Sequence, residues 1–298
     1  MSDHEGLLDR AIDRIDTMQR ASSTTAIAVA VVKRYGEDRA GRQAALITFY
    51  GFLSVFPLLL LLITFAALAV GDAALKKDIV DSALAQFPVI GPQLAKNIQA
   101  VVVGNTLAVV FAAIGLTWGA LGITSSLQAA SAEVWRRPRS EDPSIWTRTG
   151  RGVELLGILA AVAVLSTVVA GTAANGVARF GMGGVAGRLV GLAVVLATNA
   201  GGYTVALHLL SPRDTPWRAV LPGAALGAAG WTVVQLLGGW LVGHRLQHAS
   251  ELYGAFAIVL GLIFWINLGA QLFLYSTELN LVLLRHEWPK SLRSEPVS

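Results

Sequence analysis

A chain of 298 residues that is 54% hydrophobic and only 14% charged, with a mean hydropathy of +0.59, carries too little charge for a soluble domain, where about a quarter of residues are charged. Having no cysteine, it excludes disulfides, thiolate nucleophiles and cysteine-held metal or iron–sulfur centres. Its net charge of +4 fits the cationic bias of cytoplasmic membrane loops better than nucleic-acid binding, so no nucleic-acid partner is expected.

Residues 1–43 are polar and mixed in charge, and read as a cytoplasmic segment without a cleavable leader. Within it Leu7, Leu8, Ile12 and Ile15 recur near helical spacing, opposite Asp9, Arg10, Asp13, Arg14 and Asp16. This predicts an amphipathic helix over 5–35 lying on the cytoplasmic face of a membrane, with a docking helix for a partner as the alternative.

Residues 44–284 read as one all-α, polytopic membrane bundle, because crossing a core of ~30 Å takes about 20 helical residues. The first span is expected over 44–70 and contains Pro57, which kinks a helix without ending it where neighbours satisfy the freed carbonyl. Residues 72–100 are too polar to span, and Phe87-Pro88 and Gly91-Pro92 divide them into two short extracytoplasmic interface helices. Further spans are expected over 101–123, 153–173, 185–210, 219–242 and 252–284, about six in all, leaving 285–298 as a cytoplasmic tail. The connections on the side of the termini hold seventeen lysines and arginines and the opposite set six, which places both termini in the cytoplasm.

Glycine pairs four apart (Gly115/Gly119, Gly187/Gly191, Gly223/Gly227 and Gly239/Gly243) predict close helix approach inside the bundle, with a homo-oligomer contact as the alternative. Trp118, Trp231, Trp240 and Trp265 fit interfacial anchors or filler.

Polar side chains at membrane depth are costly and face a bundle interior or a wet cavity, so they carry the functional reading. Asn267, Gln271, Tyr275 and Glu278 fall within an arc of roughly 80° on one helix face. Tyr50, Ser54 and Pro57 share a face of the first span, and Asn199 and Tyr203 one of the fourth. These nine are the candidates for a polar cavity open to the cytoplasm and lined by spans one, four and six. The alternative is a set of interhelical hydrogen bonds of about 1 kcal/mol each with no ligand. Glu278 suits either an ion pair with Arg42, Arg151 or Arg213 that locks helix ends, or a protonatable group coupled to transport. Arg136, Arg137, Arg139, Arg148 and Arg151 form a basic loop suited to anionic lipid headgroups, the partner class expected.

His244, His248 and Glu251 have metal-ligand spacing on a continuous helix but lack an evident further ligand. No phosphate-binding glycine loop, nucleophile–base spacing or paired acidic site is present, so neither a cofactor nor an enzymic activity is expected.

Three blocks carry a family resemblance. The run Ala44-Ala45-Leu46-Ile47-Thr48-Phe49-Tyr50-Gly51-Phe52-Leu53-Ser54-Val55-Phe56-Pro57-Leu58-Leu59 resembles the first-span signature of the YihY/virulence factor BrkB proteins. Pro216-Trp217-Arg218 with Pro222-Gly223-Ala224 resembles a second block, and Leu252-Tyr253-Gly254-Ala255 through Trp265 to Glu278-Leu279-Asn280 the family's ending. The resemblance implies a bacterial inner-membrane protein of about six spans, and suggests transport or lipid handling. The matching motif positions are Tyr50, Pro57, Tyr253, Trp265, Glu278 and Asn280. Some members carry the label ribonuclease BN, for which the residues here supply no nuclease chemistry. A short C-terminal tail poor in acidic residues departs from relatives with tail-borne regulation.

Overall fold

Long uncharged runs leave backbone N–H and C=O groups no partners except one another once water is excluded, which selects helix. The computed structural model describes residue 17 and residues 22–69, 106–136, 144, 146–157, 185–245 and 251–288. Side chains are described for all of these except 56–69, 106–109, 111–113, 116, 185–188, 236, 238–245 and 251–258. Among the described residues there is no strand. The helices are α1 (Ser23–Glu37), α2 (Ala40–Ala69), α3 (Thr106–Val134), α4 (Val185–Leu210), α5 (Trp217–Arg245) and α6 (Glu251–Arg285), with a further helical stretch at 146–157. Leu189–Leu210 in α4 and Val259–Arg285 in α6 are long and apolar enough, by length and composition, to cross a membrane.

The expected first, second, fourth, fifth and sixth spans fall on α2, α3, α4, α5 and α6. Most of the third, the whole of 72–100 and the tail after residue 288 lie outside the described residues. Two boundaries differ from the hydropathy reading. Helix α3 runs past the expected end at Ile123 to Val134, and residues 146–152, expected in a loop, are helical and continuous with the described start of the expected third span at 153–157. Ser125, Gln128 and Ser131 are polar but compatible with helix, so hydropathy marks where the chain leaves apolar surroundings and not where the helix ends. Pro57 does not interrupt α2, and α5 contains Pro222.

Helix α1 does not lie free on a surface over its described length. Ala26, Ala30 and Arg34, four apart, form with Val31 a buried stripe. The stripe packs on α6, where Ala30, Val31 and Val282 share a cluster flanked by Tyr275 and Leu279.

Helix α2 packs along α3, and α4 along α5. Helix α6 lies between these two pairs, against α2 and α5, and also touches α1 and α3. The main core joins the start of α2 (Ala44, Ile47), the end of α3 (Leu127, Ala130), Leu155, the end of α4 (Leu207, Leu210), the start of α5 (Val220, Ala224) and Leu274 of α6. These positions share one end of the bundle, the end expected to face the cytoplasm and called the inner end below. Away from it, Leu189, Val190, Leu192 and Leu196 of α4, Ile114 and Trp118 of α3 and Phe264 of α6 present large exposed apolar side chains. Large apolar side chains exposed on three helices suit a lipid-facing surface.

Glycines set the interhelical spacing. A methyl group on Gly223 would lie 2.1 Å from the Ser276 carbonyl oxygen, and one on Gly227 would lie 2.4 Å from the Tyr203 ring. On the other side of the bundle Gly119 abuts Ser54, and Gly122 lies flat against Tyr50. The pair Gly223/Gly227 therefore packs inside the chain, whereas Gly191 of α4 has open space around it. Because Gly223 meets backbone, Gly223→Ala should cost about 1–3 kcal/mol by overpacking, whereas Gly191→Ala should be neutral or slightly stabilising. Thermal midpoints of the two variants in detergent, followed by size-exclusion monodispersity, check the difference.

Candidate functional site at the inner end of the bundle

The most constrained group in the inner end is Arg34, an arginine placed by the amphipathic stripe of α1 where alanines precede it. Its side chain is completely buried. Burial of a guanidinium is tolerated only when its donors and its charge are satisfied. Nε donates to Glu278 Oε2 of α6 at 3.1 Å, and Nη1 donates to Glu287 just beyond α6. Nη2 donates to Asp38 Oδ2 at 3.1 Å and to the Val134 carbonyl at 3.3 Å, where α3 ends. One side chain thus ties the end of α1 to the ends of α3 and α6.

Two further arginines complete this clasp. Arg136 lies 3.9 Å from Asp38, and Arg285 lies 4.0 Å from Glu287 and donates to the Trp135 carbonyl at 3.4 Å. Three arginines therefore face three carboxylates, and two of the arginines also cap carbonyls at the negative end of α3. Burial works against the charge on Arg34, but Glu287 and Glu278 outweigh it and hold the group above the ordinary arginine value. A raised cationic group contributes stability that is fully present below its unfolded value and is lost only as pH rises through the folded one. Arg34 thus stays charged across any working pH.

The clasp includes Glu278. It is fully buried and paired with Arg34, not with Arg42, Arg151 or Arg213, and its Oε1 has no hydrogen-bond partner among the described residues. Tyr275, one turn earlier, stacks on Tyr35 of α1 with ring centroids 4.1 Å apart.

Of the other predicted polar residues, Asn267, Gln271, Asn199 and Ser54 hydrogen-bond within the chain. Asn267 donates to Thr48 Oγ1 of α2 at 3.1 Å and accepts from Gln271, so these form a short ladder between α2 and α6. Asn199 donates to Thr232 Oγ1 of α5 at 3.3 Å. Ser54 returns its hydroxyl to the Tyr50 and Gly51 carbonyls of its own helix. Tyr50 packs edge-on to Trp118, with centroids 5.8 Å apart, and Tyr203 lies against Gly227. The side chains of Pro57, His244 and Glu251, and all of His248, lie outside the described residues. Among the described residues no group of three metal-ligating side chains occurs.

A cleft of about 1450 Å³ opens at the inner end, and none of the nine predicted cavity residues lines it. Its walls come from the last turns of α3, the stretch 146–157, the end of α4 with the following turn 211–214, and Arg285. The sequence singles out Arg136, Arg148 and Arg151 for headgroups as members of one loop. Arg148 and Arg151 lie instead on the helical stretch 146–157, and Arg136 lies in the turn just beyond α3, while Arg137 and Arg139 lie outside the described residues. Arg213 and His208, which also line the cleft, were not connected with it from sequence. No local signal links them, since they meet only when α4 packs back against α3. Asn280 was missed as a site residue as well: its Oδ1 accepts the Gly223 N–H at 2.7 Å.

Residues 31–297 match the family described as Virulence factor BrkB. The chain is also similar to the inner membrane protein YhjD of Escherichia coli (strain K12), with 28% identity over 261 residues, which are 80% of this chain and 75% of that protein. No solved structure matches.

Arg34→Gln should remove about 3–5 kcal/mol of stability, because it leaves three carboxylates together without their central cation. Glu278→Gln should cost much less, since an amide oxygen still accepts from Arg34 Nε while Asp38 and Glu287 remain. Thermal unfolding in detergent and the rate of proteolysis between α1 and α2 measure both effects. Equal losses in the two variants would contradict the central role given to the arginine.

Proposed function

This chain belongs to the virulence factor BrkB family, and on that premise we propose that it is a six-span protein of the bacterial cytoplasmic membrane, with both termini in the cytoplasm, that moves a lipid or other amphiphile without enzymic chemistry. The inner-membrane name of the YhjD relative supports the location. The asymmetry of lysines and arginines supports the orientation.

The observation that carries the reading is the cleft at the inner end, whose arginine-bearing walls come in part from α3 and α4, helices that also carry large exposed apolar side chains. An amphiphile needs both surfaces at once: polar groups for its head and a lipid-facing wall for its chains. The volume of about 1450 Å³ exceeds that of ordinary small-molecule pockets, which run to about 1,000 Å³.

A second reading rests on a different observation. The polar groups between α2 and α6 and between α4 and α5 are bonded to one another, and glycines close the interfaces around them. A filled bundle of this kind suits an envelope protein that organises partners and transports nothing.

Reconstitution separates the two. Proteoliposomes carrying a headgroup-labelled fluorescent phospholipid should lose more than the outer-leaflet half of their signal to a membrane-impermeant quencher, and protein-free vesicles should not. Loss confined to one leaflet at all protein densities would support the organising role and end the transport reading. Because the chain has no cysteine, single cysteines placed at residues 22 and 214 report sidedness in the same membranes. Both should be labelled from the cytoplasmic face only.

A further inference from the structure

The inner cleft combines features that neither the clasp nor the interhelical ladders explain. Arg136, Arg148, Arg151, Arg213 and Arg285 line it, against the carboxylates Glu133, Glu154 and Asp214. The clasp balances Arg136 and Arg285, which leaves Arg148, Arg151 and Arg213 against Glu133, Glu154 and Asp214 in a concave, partly enclosed space.

The arginines are not equivalent. Arg136 and Arg285 are engaged by the clasp. Arg148 spends one donor on the Ser125 carbonyl at 3.0 Å, which fixes 146–157 against α3. Arg151 and Arg213 have no side-chain partner among the described residues, although Arg151 is only partly exposed. Cationic forks without acceptors suit a tetrahedral oxyanion, which guanidinium groups bind through paired N–H donors.

Two other observations point to a ligand. Trp135 forms part of the wall, is 5% exposed, and its indole N–H has no acceptor among the described residues. Buried indole donors ordinarily find one. At the rim, Trp146 is 86% exposed next to the lining residues Thr147 and Arg148, and the exposed Trp217 stacks on the lining His208 with centroids 3.6 Å apart. Exposed tryptophans of this kind sit at the headgroup level of a bilayer.

We propose that the cleft is a binding site for the phosphate of an anionic lipid headgroup from the inner leaflet, with Arg151 and Arg213 as its principal ligands and Arg148 supporting them. This deepens the amphiphile reading and rests on it for the orientation of the inner end. A free phosphate compound offers the same chemistry to the same donors, so the experiment separates the two sources.

Full-length protein in an uncharged detergent is titrated with phosphatidylglycerol, and retained lipid is counted by native mass spectrometry, with diacylglycerol as the phosphate-free control. R151Q/R213Q removes two side chains with no described partner, so folding should be preserved. It should lower phosphatidylglycerol retention roughly tenfold or more. R42Q/R218Q, which removes two exposed inner-end charges outside the cleft, should lower it no more than about twofold, as expected of a diffuse surface field. Equal losses in the two variants, no loss in R151Q/R213Q, or equal retention of diacylglycerol would each overturn the proposal. Competition by inorganic phosphate at millimolar concentration would keep the site but assign it to a soluble phosphate compound, and failure to compete would assign it to lipid. Specific retention without lipid movement in proteoliposomes would end the transport reading and leave the site standing.

Discussion

The inner end of this bundle is organised by the requirement that a buried guanidinium be satisfied. Arg34 has acceptors on its own helix end, on the last turn of α3 and on both sides of the end of α6, and no single element supplies enough of them. The three elements must therefore meet at one point. The backbone records that constraint. The three described non-glycine residues with positive φ are Arg39, Arg136 and His286, and each lies just beyond the end of α1, α3 or α6. A left-handed residue with a side chain costs about 1–2 kcal/mol and persists where surrounding contacts over-determine it. Here the contacts are those of the clasp. After α6, the Glu287 N–H returns to the Val282 carbonyl across His286, which aims the Glu287 carboxylate back at Arg34.

How much of this was legible in the sequence depends on whether the signal was local. The order of the helices follows from apolar runs, and the structure places α2, α4, α5 and α6 within a few residues of the expected boundaries. The end of α3 is not legible because Ser125 and Gln128 look like the start of a loop. Helix continues there through hydroxyls that return to the preceding turn, as Thr124 and Ser125 do. The sequence offers Arg42, Arg151 and Arg213 as partners for Glu278. The pair with Arg34 joins residues 244 positions apart, and nothing near either residue encodes it. A weaker signal did exist, since Arg34 continues the four-residue rhythm of Ala26 and Ala30. A charge on the apolar stripe of an amphipathic helix asks for a buried counter-charge.

The polar residues at membrane depth raise a different matter. Sequence reveals that Asn199, Asn267 and Gln271 sit among apolar neighbours, but not whether their donors and acceptors are already used. In the structure they are spent on Thr232, Thr48 and one another. Each such bond is modest in lipid, about 1 kcal/mol, and serves mainly to fix which helix faces meet. Binding a ligand requires capacity left over. At mid-depth it is the buried indole of Trp265 that keeps a donor without an acceptor among the described residues, and at the inner end Arg151, Arg213 and the indole of Trp135 do.

The blocks that carry the family resemblance bear on the same division. Asn280, in the ending block, accepts the N–H of Gly223 in the middle block, and Gly223 can approach the Ser276 carbonyl only because it has no side chain. Asn267, within the ending block, donates to Thr48 of the first. The blocks are therefore three strips of one contact surface, in which α6 is sewn to α2 on one side and to α5 on the other. None of the cleft arginines falls within them. The blocks carry the seams of the bundle, and with them the packing of α6. The chemistry of the cleft has to be argued from Arg148, Arg151 and Arg213 themselves.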